Sequence, residues 1–534
     1  MNRISCDVLI VGSGAAGLRA SISAREEGLE VLVISKGNPG KATSTFHSGG
    51  VFAGSDEGVS PERHTVRTLQ AGRKINQKEL VDILVSEGPM RLKELVKWGI
   101  KGELRRGYLF SKGRPPCWGQ EIVYCLLRKA RALGVRFAGG MTVANLKVQE
   151  GVGGVVAFSP VRGEWITFTA NALILATGGA GALYLRNDNP QRMLGDGYAL
   201  ALYAGAQLQD MEFVQFYPLG LAEPGFPPFL IPPLLADQGR LLNGREEEIL
   251  EKYGIEERPA AERARDRLSH ALFNEIYREN SETWLDLRSV SEESWCKDPL
   301  SASTREILGE RCGARHRRVR VAPMAHHVMG GVCIDSEGAT SVPGLFAAGE
   351  VTGGLHGANR LGGNALTETQ VFGARAGVAA GAWARRRLGD HKDHILRELA
   401  PPAFKSQSAK AISNPAKLKR RLQEILWEKG GIIRNRQGLT QALGEAEEIH
   451  GEALRLPVSD NPRDVERALD LRYGSRTATL ILQAALKREE SRGAHFREDF
   501  PNQDDEHWLG HLQMQLSSPG ENATLSLGFC KTVS

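Results

Sequence analysis

The sequence predicts an α/β fold whose parallel sheet is interrupted by a long insertion and followed by a helical region. Three observations carry this. A continuous apolar run at residues 6–11 leads into Gly12-Ser-Gly14-Ala-Ala-Gly17 and then into small and apolar residues at helical spacing. A second large glycine-rich block, Pro343 to Gly377, follows more than 300 residues later. From Pro401 onward the pattern is helical and charged.

The elements follow in order. Cys6-Asp-Val-Leu-Ile-Val11 reads as a buried parallel strand, because the run is continuous rather than alternating. Leu18 to Gly28 has helical spacing, and Val31-Leu-Val-Ile34 closes a βαβ unit. Ala172-Leu-Ile-Leu-Ala176 is another short buried strand and runs into Thr177-Gly-Gly179. Residues 223–322 carry more charge and proline and fewer strand signals, and read as an inserted domain. Leu418 to Trp427 predicts a helix, and the tail from about residue 500 reads as irregular. The expected boundaries are 1–222 and 335–400 for the split nucleotide-binding domain, 223–334 for the insertion, 401–500 for the helical domain and 501–534 for the tail.

Composition excludes several classes. The net charge of +5 over 534 residues lacks the strongly basic domain of a nucleic-acid binder. Glycine is high, 61 residues, about 11% against a usual 7% or so, without a Gly-X-Y period. Such an excess points to tight turns and close backbone approach to a ligand. Cys6, Cys117, Cys125, Cys296, Cys312, Cys333 and Cys530 form no C-x-x-C and match no zinc or iron–sulfur spacing. Their sparse, odd number suits a reducing cytosol. No signal-like segment precedes the first strand, and no apolar run reaches the roughly 18 residues of a membrane span. A cytoplasmic protein is expected, with any contact to the inner face of a membrane made through a partner.

The glycine motifs suggest a ligand. Gly12 allows a tight turn, Gly14 lets the backbone approach a pyrophosphate, and Gly17 permits close helix–strand packing. The helix N-terminus then stabilises the phosphate charge. The acid that binds ribose in NAD sites about 20 residues on is absent, since the second strand ends in Ser35-Lys36. That favours FAD over NAD. Leu345-Phe-Ala-Ala-Gly-Glu350 brings a second glycine and a carboxylate, with Glu350 suited to a polyol hydroxyl; the alternative is one more strand and turn of the sheet. Pro323-Met-Ala-His326-His327 and His356-Gly-Ala-Asn359-Arg360 combine histidine and arginine with glycine turns, a suitable carboxylate clamp. Arg263-Ala-Arg265-Asp266-Arg267 reads by itself as a solvated helix face.

Together these blocks resemble the succinate dehydrogenase, fumarate reductase and L-aspartate oxidase flavoprotein family. Further signposts are Gly195-Asp196-Gly197, Met211-Glu-Phe-Val-Gln-Phe216, Trp284-Leu-Asp-Leu287, residues 490–499 and Asp504-Asp-Glu-His-Trp508. The resemblance spans nearly the whole chain. It implies a split, Rossmann-like FAD domain, an α+β capping insertion and a C-terminal helical domain. It implies hydride transfer between the flavin N5 and a C–C bond next to a carboxylate, with Arg265 as proton donor or acceptor and His326 and Arg360 as carboxylate ligands. The implied FAD site comprises Gly12, Ser13, Gly14, Ala15, Ala16, Gly17, Ser35, Lys36, Ser44, Thr45, Gly49, Gly50, Ala176, Thr177, Gly178, Asp196, Glu350, Asn364, Ala365 and Leu366.

The departures matter as much. Tyr217 stands where the family has histidine, and Ile231-Pro-Pro-Leu-Leu235 replaces its Thr-Glu-Gly-x-Arg segment. The half of the substrate pocket near Tyr217 and Ile231 is therefore expected to be apolar, leaving one carboxylate clamped. Ser44 occupies the position of the flavin-linking histidine, with His47 three residues away, so FAD is expected to be non-covalent. The resemblance implies that the electron partner is an iron–sulfur protein subunit. L-aspartate oxidase is the alternative enzyme, and a non-catalytic FAD electron-relay subunit is the alternative of another class; the retained Arg265, His326 and Arg360 argue against the relay.

Overall fold

Nearly uninterrupted apolar sequence makes the central strands buried on both faces, and they pair accordingly. Asn2–Val11 lies between Val31–Ser35 on one side and Glu164–Leu175 on the other, all parallel. In this computed structural model, residues 2–54, 58–113, 117–296, 299–310, 318–389, 395, 399–402, 414–456 and 461–532 are described. Cys312 lies outside them. The first strand begins at Asn2 rather than at Cys6, because Asn2–Ser5 continue the ladder against Ile166–Thr169 although they are less buried. Hydropathy marks burial, not pairing. Arg136–Gly139 extends the sheet beyond Val31–Ser35, and Val152–Ser159 and Thr142–Gln149 add antiparallel strands on the opposite side.

The distant glycine block joins this sheet directly. Leu345–Ala347 runs parallel to Leu173–Leu175, so Gly349 and Glu350 emerge beside Ala176 and Thr177. Helix Ala15–Glu26 packs on helix Asn364–Arg385 so closely that a Cβ at Gly377 would stand 2.4 Å from the Ala20 carbonyl oxygen.

The insertion contains more strand than its composition suggests. Val214–Leu221, Arg318–Val328, Thr283–Asp286 and Arg240–Asn243 form a four-stranded antiparallel sheet over a core including Leu219, Ile231, Leu235, Leu268 and Leu285. Its first strand starts ahead of residue 222, so the sheet straddles the expected boundary. Helices Pro415–Glu428, Arg436–Leu454 and Pro462–Lys487 make the helical region. The expectation of an irregular tail is corrected: Gly510–Leu516 and Leu525–Lys531 form a hairpin that pairs with Leu208–Gln209. No helix among the described residues is long and apolar enough to cross a membrane.

Candidate active site

The turn after the first strand is built around positions where only glycine fits. Gly12 has φ +117°, and a Cβ there would lie 2.0 Å from the Ala176 carbonyl oxygen; a Cβ on Gly17 would lie 2.0 Å from the Gly12 carbonyl oxygen. Gly14 caps helix Ala15–Glu26 with no side-chain hydrogen bond, so the cap residue itself does not occupy the first turn's N–H groups. Thr45 Oγ1 accepts the Ala15 N–H at 3.0 Å. Gly12, Gly14, Ala15, Thr45 and Ala176 line one cavity of about 1400 Å³, larger than the 300–1,000 Å³ or so of an ordinary small-molecule pocket. The cavity has room for a dinucleotide and a second ligand.

The structure brings most of the expected cofactor residues to this cavity. Gly12, Ser13, Gly14, Ala15, Ala16, Ser35, Lys36, Ser44, Thr45, Gly49, Gly50, Ala176, Thr177, Gly178, Asp196, Glu350, Ala365 and Leu366 line it. Gly17 and Asn364 do not. Gly17 is consumed in packing on Gly12, and Asn364 bonds His64 Nε2 at 2.8 Å and Thr68 Oγ1 at 2.9 Å, holding its helix against Pro61–Ala71. Lys36 and Asp196 are tied to each other at 3.0 Å, and Lys36 also reaches Asp470 at 3.0 Å, so these groups join the sheet to the helical region as well as line the cavity. Ser44 donates to Asn189 Oδ1 at 3.1 Å. Glu350 accepts the Val328 N–H at 3.1 Å, and burial pushes its carboxyl up to about 8, so it is largely protonated at neutral pH and able to donate. The Thr177 hydroxyl oxygen is buried with no protein partner, an acceptor and donor left for a ligand.

The expected catalytic side chains line the same cavity. Arg265 opens helix Arg265–Tyr277, is buried, and stacks its guanidinium 5.4 Å from the centre of the Tyr217 ring. Its Nε donates to the Ala261 carbonyl, whereas Nη1 is buried without a partner. Burial lowers its pKa from the ordinary arginine value. Arg360 donates from Nη2 to Gln215 Oε1 at 2.9 Å, with Nε buried and unpartnered; burial and the neighbouring Arg265 bring it down to about 9. His326 donates from Nδ1 to Asp188 Oδ2 at 2.8 Å. Burial lowers the ring's pKa, with Asp188 opposing. Two buried cations with unused donors do not stay so without cost, and a carboxylate between them satisfies both.

Apolar residues from the segment that departs from the family line the cavity as well. They are Pro227, Pro228, Leu230, Ile231, Pro232 and Pro233, and the Tyr217 hydroxyl donates to the Ile231 carbonyl at 2.5 Å. Three supporting residues carry no role in the sequence reading. Asp188 orients His326, Gln215 holds Arg360, and Asn189 donates from Nδ2 to the His326 carbonyl at 3.3 Å. Their signals were the polar run Asn187-Asp-Asn-Pro190 after a glycine turn and the glutamine inside Met211–Phe216.

A model of the FAD binding domain matches residues 7–366, and one of the fumarate reductase flavoprotein C-terminal region matches residues 419–530. The chain belongs to this family. It is an FAD-dependent oxidoreductase of the fumarate reductase/succinate dehydrogenase type. This flavoprotein is 35% identical over 525 residues to a chain of the fumarate reductase (CoM/CoB) of Methanothermobacter marburgensis, covering 93% of this chain and 94% of that one. It is 32% identical to the L-aspartate oxidase of Streptomyces coelicolor, covering 96% and 92%. Among solved structures, a FrdA variant of E. coli quinol fumarate reductase superposes with a TM-score of 0.85 at 28% identity, covering 100% of this chain and 98% of that one. The cradle at Gly12–Gly17 and the unpartnered Thr177 hydroxyl suit the FAD that the family binds.

Proposed function

We propose that this flavoprotein exchanges a hydride with a C–C bond next to a single carboxylate, and that the part of its substrate adjoining that bond on the other side is less polar than in a short dicarboxylate. The observation that supports this is the mixed lining of the cavity: Arg265, Arg360 and His326 line it together with Tyr217, Ile231 and four prolines, and the Tyr217 ring packs on both Arg265 and His326. When bound, FAD supplies the two-electron chemistry at carbon. Arg360 grips the carboxylate bidentately, and His326, aligned by Asp188, adds a donor once the carboxylate favours its charged form. Arg265 Nη1 moves the proton. Desolvation makes that guanidinium a better acid than an exposed arginine, and its charge stabilises the enolate-like form of the substrate.

Electrons reach the site through another protein in this reading, an iron–sulfur subunit of the kind that partners such flavoproteins in multisubunit complexes. FAD is held non-covalently in this reading, since Ser44, at the position of the family's flavin-linking histidine, offers no ring nitrogen; His47 lines the cavity three residues on, with its Nδ1 3.5 Å from Cys117 Sγ. Acid precipitation is expected to leave yellow FAD in the supernatant; flavin retained on the pellet contradicts that part. The decisive test is oxidation of the reduced flavin by a panel of enoic acids. Mono-carboxylate enoates are expected to outperform fumarate, and Arg265→Ala to slow turnover about a hundred- to ten-thousandfold. Fumarate reduction as fast as that of the family's dicarboxylate enzymes, or an Arg265→Ala protein with full activity, overturns the reading.

A further inference from the structure

We infer that the mouth of the cavity is an anion site, so that the substrate is an enoic acid, or its saturated counterpart, with a second anionic group beyond an apolar spacer. The inference rests on the reading above and extends it. Three separate segments bring guanidinium groups to this rim. Arg63 and Arg67 stand four residues apart on helix Pro61–Ala71, hence on one face. Arg105 ends strand Gly102–Arg105, and Arg106 begins the turn into Tyr108–Ser111 with φ +51°. Arg263 ends the short helix Ala260–Arg263, two residues before Arg265.

Among the described residues the acid beside these arginines is Glu262, and it is already engaged by Arg67 at 2.9 Å. Arg63, Arg105, Arg106 and Arg263 have no ion pair among the described residues. Like charges one helical turn apart repel, and a concave wall of a single sign concentrates anions. Arginine also matches carboxylate, phosphate and sulfonate oxygens in bidentate geometry. The rim adjoins the apolar wall through the backbone. The Ala260 N–H donates to Asp237 Oδ1 at 3.1 Å, and Asp237 lies in helix Leu234–Gln238, which directly follows Ile231-Pro-Pro233. The apolar segment and the helix that ends in Arg263 are therefore neighbours in the lining of one cavity, which gives an apolar spacer a surface to pack on beside the arginines. The second anion of a short dicarboxylate has lost its ligands here, and the rim supplies a replacement farther out.

The test titrates FAD-loaded protein with pairs of linear 2-enoic acids of graded length, each pair ending in a methyl group or a phosphonate, and reads the flavin absorbance. At the best length the phosphonate acid is expected to bind about tenfold or more tightly than its methyl partner. That preference is expected to fall below about threefold in Arg63→Ala/Arg106→Gly and to shrink with salt. Arg63 is exposed and glycine suits the left-handed backbone at Arg106, so the variant keeps the fold; its flavin content and Tm check this. Equal binding of the two acids by the native protein, or a preference unchanged in the variant, overturns the inference and leaves the rim as a docking face for an acidic protein. Turnover of the same acids with a reduced viologen is measured separately. Binding without turnover defeats the proposed function, while the ratio of the two affinities still decides the anion site.

Discussion

At His326 a carboxylate decides what an imidazole can do. Asp188 takes the Nδ1 hydrogen at 2.8 Å and so turns the other nitrogen toward the cavity. Asp188→Asn keeps the shape but loses the charge that favours the protonated ring. It is expected to raise KM for the acid substrate about tenfold, near 1.4 kcal/mol, with flavin content unchanged. Steady-state kinetics with an absorbance scan settle it, and an unchanged KM refutes the role. The triad of Arg265, His326 and Arg360 was legible in the sequence because each residue sits in a short motif of fixed order. Asp188 and Gln215 were not, since a polar residue that acts through another carries no pattern of its own. Asn364, expected among the cofactor residues, does not line the cavity: its neighbours Gly363 and Ala365 do, but its amide is spent on His64 and Thr68.

Among the elements, the pairing of helices Ala15–Glu26 and Asn364–Arg385 is what holds the two halves of the FAD domain in register. Gly373 and Gly377 let the backbones approach, and added Cβ atoms would stand 2.8 Å from the Ala16 oxygen and 2.4 Å from the Ala20 oxygen. Gly377→Val is expected to destabilise the protein by about 1–3 kcal/mol and to lower FAD occupancy, because the helix that carries the phosphate-facing N-terminus must move. Thermal melting with and without added FAD measures both; an unchanged Tm contradicts the close-packing account. The C-terminal hairpin shows a signal that was present and overlooked. Leu512-Gln-Met514-Gln-Leu516 alternates apolar and polar residues, and Leu512, Met514 and Leu516 are the buried ones. Charge in the preceding segment masked that period.

On the scale of the whole molecule, buried and half-buried ion pairs tie regions remote in sequence. Lys36 joins the sheet to Asp470 in the helical region, and His511 in the hairpin meets Asp210 at 2.6 Å. Burial disfavours the charged His511 ring, but Asp210 outweighs it and holds the pKa above the ordinary histidine value. A raised folded-state value means that this contact stabilises fully below the unfolded value near 6.5 and is lost as pH rises through the folded one. The Tm deficit of His511→Asn relative to the native chain is expected to be largest near about pH 6 and to diminish on the alkaline side. A deficit independent of pH refutes the charge contribution.

By itself the sequence determined that this chain builds a split FAD domain, where its glycine turns fall, and that Arg265, His326 and Arg360 belong to one site. Those are properties of contiguous motifs, in which neighbours along the chain are also neighbours in space. Only the tertiary structure decided that Leu345–Ala347 lies beside Leu173–Leu175, that Asp188 reaches His326, and that five arginines from three segments share one rim. Strand pairing and charge clustering over such separations depend on how the chain closes its loops, and local pattern does not encode the outcome.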